Sequence, residues 1–305
     1  MKIVFMGTPD FAVESLKELL NHYEVSAVIT QPDKPKGRHY EMTPPPVKVY
    51  AQEKGIPVYQ PLSMRDEDAQ KLMEELNPDL CVVVAYGKIL PKNILDIPKH
   101  GYVNVHASLL PKYRGASPIQ WSIVCGENVT GVSTMQLDEG MDTGAVYDYS
   151  EVVIEDTDTA ETLSDKLATE GGKLLVKTVK SIEEGSANPI PQDENNANYA
   201  PIISKQDGII DWNKSAKEID CLIRGLHFWP VAHTKIDGKL FKIFSAEILD
   251  IKANPGEIIK KDTELIIGCK DGALKITESQ LEGSKRMQTS DMLRGKKINS
   301  DFVGE

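Results

Sequence analysis

The chain has 305 residues, 40% hydrophobic and 27% charged, with a formal net charge of −11. That length exceeds one compact core and predicts two domains. No apolar run approaches the roughly 18 residues of a membrane span, and the opening MKIVFMGTPD lacks a leader pattern, so a cytoplasmic location is expected. The acid surplus argues against indiscriminate nucleic-acid binding. Cys81, Cys125, Cys221 and Cys269 stand far apart, and the six histidines lack H-E-x-x-H spacing. Neither a zinc centre nor a disulfide framework is expected.

The first half alternates apolar strands with helical segments. KIVFM leads to DFAVESLKELL, then VSAVIT, VKVYAQEKG, IPVYQP, DEDAQKLMEELN, LCVVVAYG, ILPKNILD and GYVNVH. Near-continuous Val/Ile/Leu strands separated by helices predict a parallel sheet covered on both faces. GVSTMQLDEG and AVYDYSEVVI read as strands joined by a glycine-rich loop. A long helix follows, with Asp158 as its expected N-cap and Glu161 completing a capping box. NPIPQDENNANYAPIISKQDG has little periodicity and reads as an interdomain linker. Beyond it, the helix SAKEIDCLIRGL and several short strands with Asp-Gly and Pro-Gly turns predict a small barrel or sandwich. HFWPVA is expected to sit in the core rather than to stack on a ligand.

GTPDF follows the first strand, yet Gly7 is the one glycine present where G-x-G-x-x-G supplies three. A dinucleotide site is not expected, and Thr8 and Asp10 read as helix-starting residues. Chemistry in such sheets gathers at the carboxyl ends of strands. There YVNVH puts Asn104 and His106 on one face, about 7 Å apart. Ser108-Leu109-Leu110-Pro111 then cannot continue a central strand, since proline lacks the N–H. LDEGMDTG offers Asp142 from a second loop, and a carboxylate facing the imidazole would fix its orientation. No G-x-S-x-G elbow supports a covalent nucleophile, so direct transfer between two bound substrates fits better. Taken alone, these residues describe an Asn/His/Asp site beside an apolar loop and leave the reaction class open.

The combined motifs resemble the folate-dependent formyltransferases. Those motifs are Asn104, His106, Ser108 to Pro111 and Gly115, followed by Gly140-Met141-Asp142-Thr143-Gly144. The similarity extends through IVFMGTPDFAVESLKELL, TQPDKPKGR, PVKVYAQEKGIPVYQP, VVVAYGKILP, GASPIQW and DWNKSAKEIDCLIRGLHFWPVA, nearly the whole chain. It points to the branch that acts on the methionine of charged initiator tRNA. The resemblance implies a Rossmann-like, mostly parallel α/β domain over residues 1–188, a linker over 189–206 and an OB-like C-terminal β-barrel over 207–305. It implies 10-formyltetrahydrofolate as formyl donor, no metal, methionyl-initiator tRNA as acceptor and no obligate protein partner. Asn104, His106 and Asp142 become the expected catalytic residues, and Ser108, Leu109, Leu110 and Pro111 the expected folate contacts. VVVAYG and the backbone from Leu137 to Asp142 are expected to flank the pterin.

The basic run from Lys34 to Lys48 matches the loop that relatives insert against the tRNA acceptor end, with Lys36 and Arg38 as the expected contacts. His39-Tyr40-Glu41 departs from the more basic residues common there. A second basic cluster, Lys285 to Lys297, is expected to meet phosphates. The competing readings are a formyltransferase of amino-sugar nucleotides and a non-catalytic RNA-binding protein on the same scaffold.

Overall fold

The structure, a computed structural model, describes residues 1–36 and 40–304. The chain forms two compact units. One contains Met1–Gly115, Val129–Val153 and Ser164–Tyr199; the other contains Ala116–Asn128, Ile154–Leu163 and Ala200–Glu305.

In chain order the elements begin with β1 (Ile3–Gly7), α1 (Asp10–Leu20), β2 (Val25–Ile29), the hairpin β3 (Lys34–Lys36) and β4 (Glu41–Thr43), and α2 (Pro46–Glu53). Then come β5 (Val58–Tyr59), α3 (Glu67–Leu76), β6 (Leu80–Val84), α4 (Lys92–Leu95) and β7 (Tyr102–His106). After β8 (Arg114–Gly115) and α5 (Pro118–Val124) follow β9 (Val129–Gln136), β10 (Val146–Val153) and the long α6 (Ala160–Glu183).

The main sheet has the order β10-β9-β7-β6-β1-β2-β5. From β7 to β5 the pairings are parallel, and β9 and β10 extend the sheet antiparallel. Every residue of β1 and β6 is buried, which explains their unbroken apolar sequences. Successive residues serve opposite faces. Ile3 and Phe5 pack with Leu16 of α1, Val47 of α2 and Val179 of α6. Val4 and Met6 pack with Met73 of α3 and Ile94 of α4. Truncating one such large side chain to Ala typically costs 2–5 kcal/mol.

Because β2 and β6 flank β1 on opposite sides, connections diverge at the carboxyl end of β1, where α/β sheets bind ligands. Gly7 occupies that point. A Cβ there would lie 2.8 Å from Ala12 Cβ and 3.0 Å from the Val84 carbonyl oxygen, so only glycine lets helix and strand approach so closely. Asp10 opens α1 as expected, but Thr8 does not cap it. The Thr8 hydroxyl instead donates to the Tyr86 carbonyl at 3.0 Å, joining the ends of two central strands.

The start of α6 also differs from expectation. Thr159 and Thr162 exchange reciprocal bonds, the Thr159 amide donating to Thr162 Oγ1 at 3.0 Å and the Thr162 amide to Thr159 Oγ1 at 3.3 Å. The Asp158 carboxylate accepts from the Glu155 amide at 2.8 Å and from Thr162 Oγ1 at 2.9 Å, bridging the preceding turn and the first turn of the helix.

After the short β11 (Tyr199–Ala200), the second unit continues with α7 (Ala216–Gly225), β12 (His233–Ile236), β13 (Lys239–Leu249) and β14 (Ile258–Lys260). It continues with β15 (Leu265–Gly268), β16 (Ala273–Leu281), β17 (Met287–Gln288) and α8 (Thr289–Gly295). Its antiparallel sheet runs β12-β13-β16-β15-β14, with β17 on β16. Register shifts in β13 around Ser245 curl it into a half-barrel, as bulges do. Ser215 and Glu218 form a complete capping box at α7, which lays Ile219 and Ile223 on the core with Phe241, Ile243 and Leu274. HFWPVA divides: Val231 and Ala232 are buried as expected, but Phe228 is 81% exposed and Trp229 51%. Phe241 and Trp212 are the aromatic members of this core, and Phe228 and Trp229 lie outside it. No helix among the described residues is long and apolar enough to cross a membrane.

Candidate active site

Asn104 and His106 lie on β7, whose partners are β6 and β9. Asp142 lies in the loop from β9 to β10, so antiparallel pairing of β7 with β9 brings the two segments together. Nδ1 of His106 is 3.7 Å from Oδ2 of Asp142, with side-chain exposures of 7% and 17%. That separation exceeds a direct hydrogen bond but suits a shared water or a charge contact.

The other ring nitrogen is committed. His106 Nε2 lies 2.9 Å from the Tyr113 carbonyl oxygen. A carbonyl only accepts, so Nε2 carries the hydrogen and Nδ1 is left to exchange protons. The orienting group is thus a backbone carbonyl that sequence reasoning did not identify; no side-chain pattern signals it.

Asn104 is half-buried, and its side-chain amide has no hydrogen-bond partner among the described residues. A partly desolvated amide without a protein partner suits a ligand oxygen.

Asp142 is held from both ends. Its Oδ2 accepts from the Gly115 amide at 2.8 Å, and its backbone has φ +55°, the left-handed region that L residues seldom adopt. Two residues on, a Cβ at Gly144 would lie 1.9 Å from the Gln136 carbonyl oxygen, so glycine is required. Asp138 closes the same loop, accepting from the Gly140 amide at 3.0 Å and from Thr143 Oγ1 at 2.8 Å.

The expected folate contacts divide. The Ser108 hydroxyl donates to the Lys112 carbonyl at 2.6 Å, while the Ser108 carbonyl accepts from Ser133 Oγ at 2.6 Å. Leu110 is buried against Met135 and Val146. Leu109 rests on Gly131, where a Cβ would come within 2.5 Å of its Cδ2. Ser108 and Leu110 therefore build the turn from within, and Leu109 and Pro111 are half-buried. On the opposite flank, Gln31 Nε2 donates to the Tyr86 and Gly87 carbonyls at 2.9 and 3.2 Å, fixing the VVVAYG turn.

The segment read as a linker begins by clasping this site. Gln192 Nε2 donates to the carbonyls of Asp142 and Gly144, both at 2.8 Å. Gln192 Oε1 accepts from Arg114 Nε at 3.1 Å and Nη2 at 2.9 Å. Arg114, fully buried, also forms a fork to Glu194 at 2.8 and 2.9 Å. That pairing holds the Glu194 carboxyl below the usual range. Asn198 accepts from the Tyr113 amide through its side chain, and its carbonyl accepts from the Arg114 amide at 3.0 Å.

One of the expected tRNA contacts, Lys36, lies on the β3–β4 hairpin. Lys36 ends β3 opposite Glu41, and Arg38 lies outside the described residues. Tyr40 and Met42 are exposed. Lys48 is not a free cation: its ammonium meets both Asp33 carboxylate oxygens at 2.8 Å and Gln60 Oε1 at 2.8 Å. In the second unit Arg286 pairs with Glu278 and Arg294 with Asp291, whereas Lys285, Lys296 and Lys297 are exposed without an ion-pair partner among the described residues.

Two family models match the chain: a formyl transferase model over residues 1–179 and a formyl transferase C-terminal domain model over residues 202–297. Among solved structures, an N-formyltransferase from Helicobacter canadensis, in complex with folinic acid and dTDP-3-aminofucose, is similar with TM-score 0.70. The likeness covers 94% of this chain and 100% of that one at 21% identity, which speaks to fold. HypX from Aquifex aeolicus, in complex with tetrahydrofolic acid, is similar with TM-score 0.65 at 20% identity, over 99% of this chain and 50% of that one. Fold and matched models together define a formyltransferase. Methionyl-tRNA formyltransferase of Thermodesulfovibrio yellowstonii is 48% identical over 97% of this chain and 96% of its own. That of Caldanaerobacter subterraneus subsp. tengcongensis is 50% identical over 98% of each. The chain belongs to the methionyl-tRNA formyltransferase family.

Proposed function

We propose that the chain transfers a formyl group from 10-formyltetrahydrofolate to the α-amino group of methionine on charged initiator tRNA, in the cytoplasm where that tRNA is used. The near full-length identity of 48–50% to methionyl-tRNA formyltransferases carries the choice of substrates. The unpartnered Asn104 amide beside buried His106 and half-buried Asp142 supports the chemistry.

A free α-amine has a pKa of about 8, so a useful share of the methionyl amine is neutral and nucleophilic at physiological pH. Its attack on the formyl carbon makes a tetrahedral centre with an oxyanion. Asn104 Nδ2 donates to that oxygen, and Nδ1 of His106 does so once it has taken the proton of the attacking nitrogen. Nδ1 takes a proton from the attacking nitrogen and returns it to the departing N10 of the folate. Asp142, 3.7 Å away, offsets the positive charge that forms on the ring. Leu109 and Pro111 offer apolar surface to the folate.

In this reading residues 1–188 carry the chemistry, 189–206 follow them, and 207–305 with the β3–β4 hairpin meet the tRNA. Lys36 and Arg38 contact its acceptor end. Sugar N-formyltransferases share the fold, but at about one-fifth identity they carry no argument for a sugar acceptor here. The deciding experiment incubates the protein with 10-formyltetrahydrofolate and either methionyl-initiator tRNA or a dTDP-amino sugar. Formyl-methionine in the first reaction and no formyl sugar in the second is expected; the reverse overturns the reading.

A further inference from the structure

We infer that Gln192 is a positioning residue for formyl transfer, braced by the buried Arg114–Glu194 pair and acting through Asp142; the inference rests on the catalytic roles proposed above. Nothing in a Pro/Asn/Gln-rich segment predicts such a role, so the case is geometric.

Asp142 must hold a left-handed backbone for its carboxylate to reach the Gly115 amide and face His106. Such a conformation is disfavoured for a non-glycine residue and persists when its surroundings over-determine it. Gln192 supplies that constraint. Both of its amide hydrogens go to the loop, one to the Asp142 carbonyl and one to the Gly144 carbonyl, each at 2.8 Å. Two fixed carbonyls two residues apart leave the intervening turn little freedom.

The orientation of the Gln192 amide is itself determined. Its oxygen faces Arg114, which only donates, and its nitrogen faces two carbonyls, which only accept. Arg114 is immobilised in turn: four of its donor contacts go to Gln192 and Glu194, and it has no exposed surface. The result is a closed ring. Arg114 holds Gln192, Gln192 holds the Asp142 main chain, and Asp142 returns through its carboxylate to the amide of Gly115, next to Arg114. Tyr113, on the other side of Arg114, aims the His106 ring. Three consecutive residues thus set both the imidazole and the carboxylate, and Gln192 ties them to the loop.

Gln192→Glu separates positioning from folding. It keeps an oxygen for Arg114 but turns the two donated bonds into a carboxylate facing two carbonyls. Steady-state kinetics with formyl-folate and methionyl-initiator tRNA should show kcat lowered about tenfold to a hundredfold. KM for both substrates should stay within about twofold, and the melting temperature should hardly move. In an Asp142→Asn background the same substitution should add less than about twofold, because its effect passes through the lost carboxylate. Raised KM with kcat intact, or losses that multiply in the double variant, would overturn the inference. A crystal structure of Gln192→Glu provides a readout independent of substrate identity. Asp142 should leave its left-handed conformation and move beyond single-water reach of His106 Nδ1; an unmoved Asp142 overturns the inference. Wild-type protein that makes no formyl-methionine defeats the proposed function separately, and leaves the positioning claim to that structure.

Discussion

His106 presents Nδ1, and not Nε2, to Asp142: the two are 3.7 Å apart, while Nε2 is spent on the Tyr113 carbonyl 2.9 Å away. One ring nitrogen is structural and the other is available for proton transfer. A buried imidazole with one fixed tautomer needs little reorganisation when the reaction begins.

Asp142→Asn tests that arrangement. The new amide still offers an oxygen to the Gly115 N–H, so the loop keeps its anchor, but the charge facing Nδ1 is gone. Turnover should fall by a factor of about 10² to 10⁴, the usual span for impaired proton transfer. The thermal midpoint should change little. Near-wild-type turnover would remove Asp142 from the mechanism.

Acid should loosen the brace before it unfolds the sheet. The Glu194 carboxyl is held below its ordinary value of 4.5 by its hydrogen bond to Arg114. A depressed folded-state pKa means the contribution is complete above the unfolded value and disappears as pH falls through the folded one. Between neutrality and pH about 5 the Glu194 contribution should be flat; below about 4.5 it should decline. Urea midpoints against pH, compared with Glu194→Gln, check this: the variant should lack that part of the acid slope. Parallel curves would rule the contact out as a source of pH dependence.

Thiol reactivity should single out one cysteine. Cys125 is exposed, whereas Cys81, Cys221 and Cys269 are buried. Burial pushes the thiol of Cys269 up to about 12 and raises those of Cys81 and Cys221 as well. An aromatic disulfide reagent should titrate one fast thiol in the native protein and all four after denaturation. A second fast thiol would contradict the packing around the buried three.

Contacts to phosphate should register as salt dependence. KM for charged tRNA should rise with salt, and KM for the formyl donor should rise much less. Replacing Lys285, Lys296 or Lys297, each exposed without an ion-pair partner among the described residues, should lower the salt slope by about one unit each. Replacing Lys48 should instead disturb local structure, since Asp33 and Gln60 hold it. A salt-independent KM for tRNA would exclude the phosphate contacts.

The sheet was legible because burial on both faces leaves a composition signature: IVFMG and LCVVV have no polar position to lose. Asn104 and His106 were legible because polar residues at a strand's carboxyl end break that signature. Asp142 was legible only in part, since a turn aspartate looks the same whether or not it faces an imidazole. Tyr113 and Gln192 could not be read at all. The first acts through a carbonyl that every residue owns, and the second lies where low periodicity suggests a free linker. Absence of periodicity reports absence of helix or strand; it does not report absence of partners. Phe228 and Trp229 were misjudged for a related reason, since aromatic composition records how much apolar area a residue has and not which side of the unit it faces.

The most direct test of the whole account is single-turnover formyl transfer by Asn104→Ala under saturating 10-formyltetrahydrofolate and methionyl-initiator tRNA. Removing an oxyanion donor typically costs about 3 kcal/mol, so the rate constant should fall about a hundredfold or more while both substrates still bind. A rate constant equal to that of the wild type would contradict the account, because the free amide would then have no part in the transition state.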